Sequence, residues 1–387
     1  MKLIQNGRLI LPDQIVDHQA IVFSDKIEAI LPLEKALEAY PNAEVIDAAG
    51  CYVSPGLVDV HSHGCGGHDT CDNTPGAIQE MSRMVAGFGV TSWLPTTMTY
   101  PLDYLRVTFS QIRDAKKDSE ADARAWGGAQ VLGTHMEGPF IDVNKMGAQN
   151  PEYISAPNAA FTKEYEDIIR IVTVAPNVPG GMDFIEEISR DTKIVCSVGH
   201  TGANYDCAKE AFSKGSDHVT HLFNAQNGLH HRDPGMVGAA LTSPDVYTEM
   251  ICDTFHIHPG VFQLVCDCKG DHLVLITDCM KAGGLPDGKY DLGGQDVYVT
   301  GIKCVLESGT IAGSVLRLNK AVQNVWHHTN WPLYKAVFAA SLAPARSIRM
   351  DDRKGSLEIG KDADLLIADA DFEIINTFVR GEKVYER

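Results

Sequence analysis

"PGLVDVHSHGCGG", residues 55–67, is an apolar run that ends in two histidines one residue apart and then in glycines. Side chains along a strand alternate faces, so Asp59, His61 and His63 share one face while Val58 and Val60 share the other. Two imidazoles on one face can hold a metal ion. A lone His-X-His reads equally well as two polar residues at a strand exit. The rest of the chain decides between them.

Downstream of this stretch, to about residue 345, strand-like apolar runs alternate with helical patterns. "DNTPGAIQEMSRMVAGFG" offers a Thr74 cap, Pro75 in the first turn, and Ile78, Met81, Val85 and Phe88 at helical spacing before Gly89. "ANYDCAKEAFSKG" repeats the scheme, with Tyr205, Ala208 and Phe212 on one face and Gly215 as its stop. Such helices are crossovers between parallel strands. The candidate strands are "GLVDVHSH", "VTSWLPTT", "AQVLGTHMEG", "IRIVTVAP", "KIVCSVGH", "SDHVTH", "YTEMICD" and "HLVLITD". Eight strands close a (β/α)8 barrel, so the fold class is α/β, a TIM-like barrel over residues 54–345. A β-hairpin insertion is expected near residues 286–313. Both chain ends read as short alternating strands and predict a small β-sandwich domain from residues 1–53 and 346–387.

Several barrel strands end in a residue able to bind metal or carry a proton. His61 and His63 close the first, Glu137 the third, His200 the fifth, His221 the sixth and Asp278 the eighth. In a barrel these ends open on one face, where active sites are built. Each residue alone has an ordinary structural reading; their convergence favours a metal centre. Imidazole and carboxylate suit zinc or a similar divalent ion, which lowers the pKa of bound water to about 7. A nearby carboxylate, with Asp278 the candidate, then serves as proton acceptor and donor in hydrolysis. His218, His230, His231, His327 and His328 lack this placement and read as structural or surface residues.

The formal net charge of -18 over 387 residues excludes a polyanion partner, since nucleic-acid binding needs a Lys/Arg surface. The opening stretch "MKLIQNGRLILPDQIVD" does not resemble a signal peptide, and no apolar run is long enough to span a bilayer. A cytoplasmic location is expected, with the ten scattered cysteines reduced.

The segments "HMEGPF", "VGHTGANYDCAKEAF", "VTHLFNAQ", "HRDPGMVGAA", "CDTFHIHP", "LITDCMKAGG" and "GTIAGS" resemble, in order and spacing, the N-acetylglucosamine-6-phosphate deacetylase family of the amidohydrolase superfamily. The resemblance implies Glu137, His200 and His221 as ligands of the hydrolytic metal. It implies His61 and His63 as holders of a second ion bridged by Glu137, with Asp278 nearby as ligand and proton carrier. Zinc is the expected metal, with one or two ions per subunit and iron or manganese as alternatives. Asn224, Ala225 and His256 would bind the sugar phosphate. Arg232 would supply charge to the neighbouring subunit's site, which implies a homodimer; a guanidinium recognises phosphate oxygens bidentately.

One position departs from the family pattern. Where the family has Lys-Gly-Ala-His, "NKMGAQNP" places Gln149, which can donate a hydrogen bond to the substrate carbonyl but cannot become a cation. The expected reaction is hydrolysis of the acetamide of N-acetylglucosamine 6-phosphate. The galactosamine epimer or another N-acyl amino-sugar phosphate fits the same machinery. A cyclic-amide hydrolase would bridge its metals with a carboxylated lysine where this chain has Glu137. A non-catalytic sugar-phosphate sensor would not need Asp278.

Overall fold

A computed structural model describes residues 1–387. Eight parallel strands form the barrel: β1 (Leu57–Ser62), β2 (Val90–Thr97), β3 (Thr134–Glu137), β4 (Ile169–Val174), β5 (Val195–Val198), β6 (His218–Val219), β7 (Tyr247–Ile251) and β8 (Leu273–Ile276). They pair in sequence order, with Thr96 opposite His135, Ile171 opposite Val195, Ser197 opposite His218 and Thr248 opposite Leu273. β1 and β2 are buried along their whole length, as strands covered on both faces must be. The ring closes at its C-terminal mouth, where Asp278 N–H donates to the His61 carbonyl at 2.9 Å and His63 N–H to Cys279 at 2.8 Å. This closure puts the ends of β1 and β8 side by side.

The third strand is broken. Gln130–Val131 pairs with β2 first, and the chain then kinks at Gly133 before β3. Gly133 has φ +147, and a Cβ there would lie 2.3 Å from the Ile168 carbonyl oxygen, so only glycine allows the kink.

Both chain ends build two further sheets. One runs in the order Ile27–Pro32, Gln19–Phe23, Lys2–Gln5, Glu44–Asp47. The other runs Glu382–Glu386, Ile374–Val379, Leu365–Ala368, Tyr52–Pro55, Arg8–Ile10, Ile15–Val16. Ile4, Ile21, Val53 and Leu365 pack between them, with Phe23 and Phe378 edge to face at 5.7 Å. Lys354, 1 % exposed, ties this unit to the barrel by bonds to Gln130 (2.7 Å) and Asp364 (2.8 Å).

Three local expectations are corrected. The first fifty residues are not purely β: Leu33–Ala39 is a helix that lays Ala36 on the sheet beside Leu3 and Val22. Thr74 does not cap the first barrel helix, which starts at Ala77 behind Gly76 in a left-handed conformation, a geometry glycine adopts without cost. The insertion has three strands rather than a hairpin's two: Gly288–Leu292, Gln295–Thr300 and Lys303–Leu306. Its Leu292, with the following Thr310 and Ile311, walls the barrel mouth. No helix is long and apolar enough to cross a membrane.

Candidate active site

Alternation along the strands fills the barrel interior with polar groups. Asp59 and His61 from β1, His135 and Glu137 from β3, Thr173 from β4, Ser197 from β5, His218 from β6 and Glu249 from β7 are all buried. Upward from this layer the strand ends converge on a cavity of about 270 Å³ whose lining includes His63, Glu137, His200, His221 and Asp278. Past their strands, His200, His221 and Asp278 adopt positive φ of 45°, 29° and 48°. Left-handed backbone at non-glycine residues is costly, and such strain collects at functional sites. Here it turns three side chains inward at the rim.

The donor atoms form two groups that share Glu137. In the first, Glu137 Oε1 lies 3.2 Å from His200 Nε2 and 3.0 Å from His221 Nε2, and the two imidazole nitrogens are 3.0 Å apart. In the second, His63 Nε2 lies 3.2 Å from Glu137 Oε2 and 3.3 Å from Asp278 Oδ1, while His61 Nε2 lies 3.4 Å from Glu137 Oε1 and 3.6 Å from Asp278 Oδ1. Ligands about 2.1 Å from one tetrahedral ion sit about 3.4 Å from each other, so both groups have the spacing of a metal site.

The opposite ring nitrogens fix which lone pairs face the cavity. His200 Nδ1 meets the Lys145 carbonyl at 2.8 Å, His63 Nδ1 the Thr96 carbonyl at 3.2 Å, and His61 Nδ1 the Glu249 carboxylate at 2.9 Å. Each of these partners can only accept, so the proton sits on Nδ1 and Nε2 keeps its lone pair for an ion. His61 Nε2 is buried without a hydrogen-bond partner. The residues present therefore fit a divalent cation.

Electrostatics agree. Burial alone would raise the Asp278 carboxyl, but when His61 and His63 also carry a proton on Nε2, the His63 contact and the two ring charges outweigh it and hold the group at about 2. Burial opposes charge on His61 too, yet Glu249 and Glu137 carry that ring up to about 9. The carboxylates thus demand positive charge in a dry site, which protons or a metal ion can supply.

Of the other expected residues, Gln149, Asn224, Ala225 and His256 all line the cavity. His256 is held by Asp253, whose Oδ2 is 2.6 Å from Nδ1. Gln149 is committed on both sides: its carbonyl accepts Thr99 N–H at 2.7 Å and its amide donates to Glu137 Oε2 at 2.7 Å. Arg232 is exposed on the loop after β6, beside His231 at 2.8 Å, and does not reach the cavity of its own chain.

His135 and Glu249 join the buried interior layer without being among the residues expected from the sequence. Their signals were present: His135 and Glu137 repeat the one-residue spacing of His61 and His63, and Glu249 is an acidic residue inside the apolar run "YTEMICD". A charge in the middle of a buried strand calls for a partner.

Comparison with known proteins extends these findings. The model of the amidohydrolase family matches residues 52–384. An N-acetylglucosamine-6-phosphate deacetylase of Bacillus subtilis is 35 % identical over 384 residues, covering 98 % of this chain and 96 % of that one. An N-acetylgalactosamine-6-phosphate deacetylase of Escherichia coli O157:H7 is 34 % identical over 370 residues, covering 95 % and 94 %. The crystal structure of N-acetylglucosamine-6-phosphate deacetylase from Pasteurella multocida superposes with a TM-score of 0.93 at 31 % identity over 100 % of both chains. Sequence match, barrel and donor set concur, and the chain belongs to the amidohydrolase family.

Proposed function

We propose that the protein hydrolyses the acetamide of N-acetylglucosamine 6-phosphate to glucosamine 6-phosphate and acetate. The observation that carries this reading is one cavity lined by Glu137, His200, His221, His63 and Asp278 together with Asn224, Ala225 and His256, with His61 buried against the same carboxylates. Glu137, His200 and His221 would hold one divalent ion, proposed as zinc, and His61, His63 and Asp278 a second that shares Glu137. Bound there, the metal supplies Lewis acidity and an activated water at neutral pH.

The chain's own groups do the rest. Asp278 is ionised at neutral pH and so begins as a base; it takes a proton from the attacking water and returns it to the nitrogen of the leaving amine. The amide C–N bond breaks, the water oxygen becomes part of acetate, and the amine leaves with the proton. Asn224, Ala225 and His256 orient the sugar phosphate. Leu292 of the three-stranded insertion and Ile311 just after it keep bulk water from the reacting carbonyl. Arg232 of a second copy of the chain meets the phosphate, which makes the working unit a homodimer, placed in the cytoplasm.

The test is acetate release by zinc-supplemented protein from N-acetylglucosamine 6-phosphate, its galactosamine epimer and unphosphorylated N-acetylglucosamine. Fastest release from the first supports the reading. A preference for the epimer would transfer the activity to the other amino-sugar phosphate, and no release from either phosphorylated sugar would overturn it.

A further inference from the structure

Beneath the cavity, in the middle of β7, Glu249 is fully buried and has no lysine or arginine partner. One of its oxygens, Oε2, accepts two hydrogen bonds: from the His61 ring at Nδ1 (2.9 Å) and from the His221 backbone N–H (3.0 Å). The other, Oε1, has no hydrogen-bond partner; it faces His135 Nδ1 at 3.8 Å and His218 Nδ1 at 3.9 Å. Both of those rings are engaged elsewhere, His135 Nδ1 with the Val60 carbonyl at 3.1 Å and His218 Nδ1 with Ser197 at 3.0 Å. A buried carboxylate in this position is expensive without a compensating cation.

We propose that Glu249 is a positioning residue that commits His61 to metal and so decides whether the His61 and His63 pair holds a second ion. The inference rests on the metal-centre reading above. Because a carboxylate only accepts, Glu249 keeps the His61 proton on Nδ1 and leaves Nε2, itself buried and unpartnered, as a ligand aimed at Glu137 and Asp278. The charges point the same way. Glu137 and Asp278 together match one divalent ion, which leaves Glu249 a surplus buried anion. A second ion on the far side of the His61 ring gives that anion its countercharge. The same oxygen that orients His61 also anchors the backbone of His221, so one carboxylate sets the spacing between the two groups of ligands.

The experiment is zinc stoichiometry by elemental analysis, with competitive chelator titration for affinity, on wild type, Glu249→Gln, Glu249→Leu and His61→Asn, each checked for folding by circular dichroism and thermal melting. Glutamine can still accept both hydrogen bonds through its carbonyl but carries no charge; leucine removes both functions. Two ions are expected in wild type and one in His61→Asn and Glu249→Leu. In Glu249→Gln the second ion should bind about tenfold or more weakly, in line with other outer partners of metal ligands. If Glu249→Leu does not fold, the glutamine variant decides. Two ions of unchanged affinity in Glu249→Gln and any folded Glu249→Leu, with one in His61→Asn, would overturn the role of Glu249 and leave the metal centre standing. One ion in wild type, or two in His61→Asn, would instead remove the first-strand metal site and this inference with it.

Discussion

The Gln149 side-chain amide sits 2.7 Å from Glu137 Oε2, and the Gln149 carbonyl oxygen takes Thr99 N–H at the same distance. Its remaining approach is to Met98 Sδ at 3.7 Å. The side chain that stands where the family pattern has a histidine is therefore spent on fixing the carboxylate that both ligand groups share. Glutamine suits that task because it is at once an acceptor for the backbone and a donor for the carboxylate.

Gln149→Ala should therefore act through the metal. Zinc affinity and kcat/KM should both fall about 10- to 100-fold, the usual cost of losing an outer partner of a ligand. Unchanged metal affinity with a reduced kcat would instead mean that Gln149 contacts the reacting carbonyl directly.

Asp278→Asn removes the proposed proton carrier while keeping its shape. Turnover should drop about 10²- to 10⁴-fold, the range of general acid–base catalysis, while His200, His221 and Glu137 still hold their ion. Metal content and kcat measured on one preparation check both halves, and full activity would eliminate Asp278 as the base.

The barrel was legible in the sequence because parallel strands buried on both faces carry long apolar runs, and "VTSWLPTT" and "HLVLITD" fall where β2 and β8 lie. The rim residues were legible because each ends such a run. The helix at Leu33–Ala39 was hidden: it is under two turns long, and only Ala36 is buried. The start at Gly76 was hidden because a left-handed glycine and a threonine cap leave the same local trace. Glu249 could not be read from spacing alone, since its meaning depends on His61, 188 residues away in sequence.

Arg232 is exposed and outside its own cavity, which leaves it free for the role in a neighbouring copy proposed above. Arg232→Ala should raise KM for the phosphorylated sugar on the order of 10- to 100-fold, the value of a hydrogen bond to a charged group, with little change for the unphosphorylated sugar. Co-expression of Arg232→Ala with Asp278→Asn should restore activity, because a mixed dimer then holds one site with both residues. A mixture no more active than its components would place Arg232 outside the partner's site.

Lys354 offers a test of how the terminal sheets are fastened to the barrel, with a sign that depends on pH. Its ammonium contacts Asp362 at 2.9 Å, Asp364 at 2.8 Å and Gln130 at 2.7 Å, all within a buried pocket. Lys354→Met strands Asp364 there and leaves Asp362 to Arg353 alone at 3.0 Å, and at pH 7 the loss should be about 3–5 kcal/mol, as for other buried pairs with one partner removed. Burial by itself would raise the Asp362 carboxyl, but Lys354 and Arg353 outweigh it and hold the group below its ordinary value. A depressed carboxyl contributes stability that is present above its unfolded pKa and is lost as pH falls through the folded value. In the variant the carboxyl loses the lysine, binds a proton at higher pH, and escapes its burial cost as it does so. The gap in urea midpoint between wild type and Lys354→Met should therefore be widest near neutrality and narrow as the pH falls into the range where carboxyls protonate. A gap of constant size across that range would show that the lysine stem, and not its charge, supplies the stability.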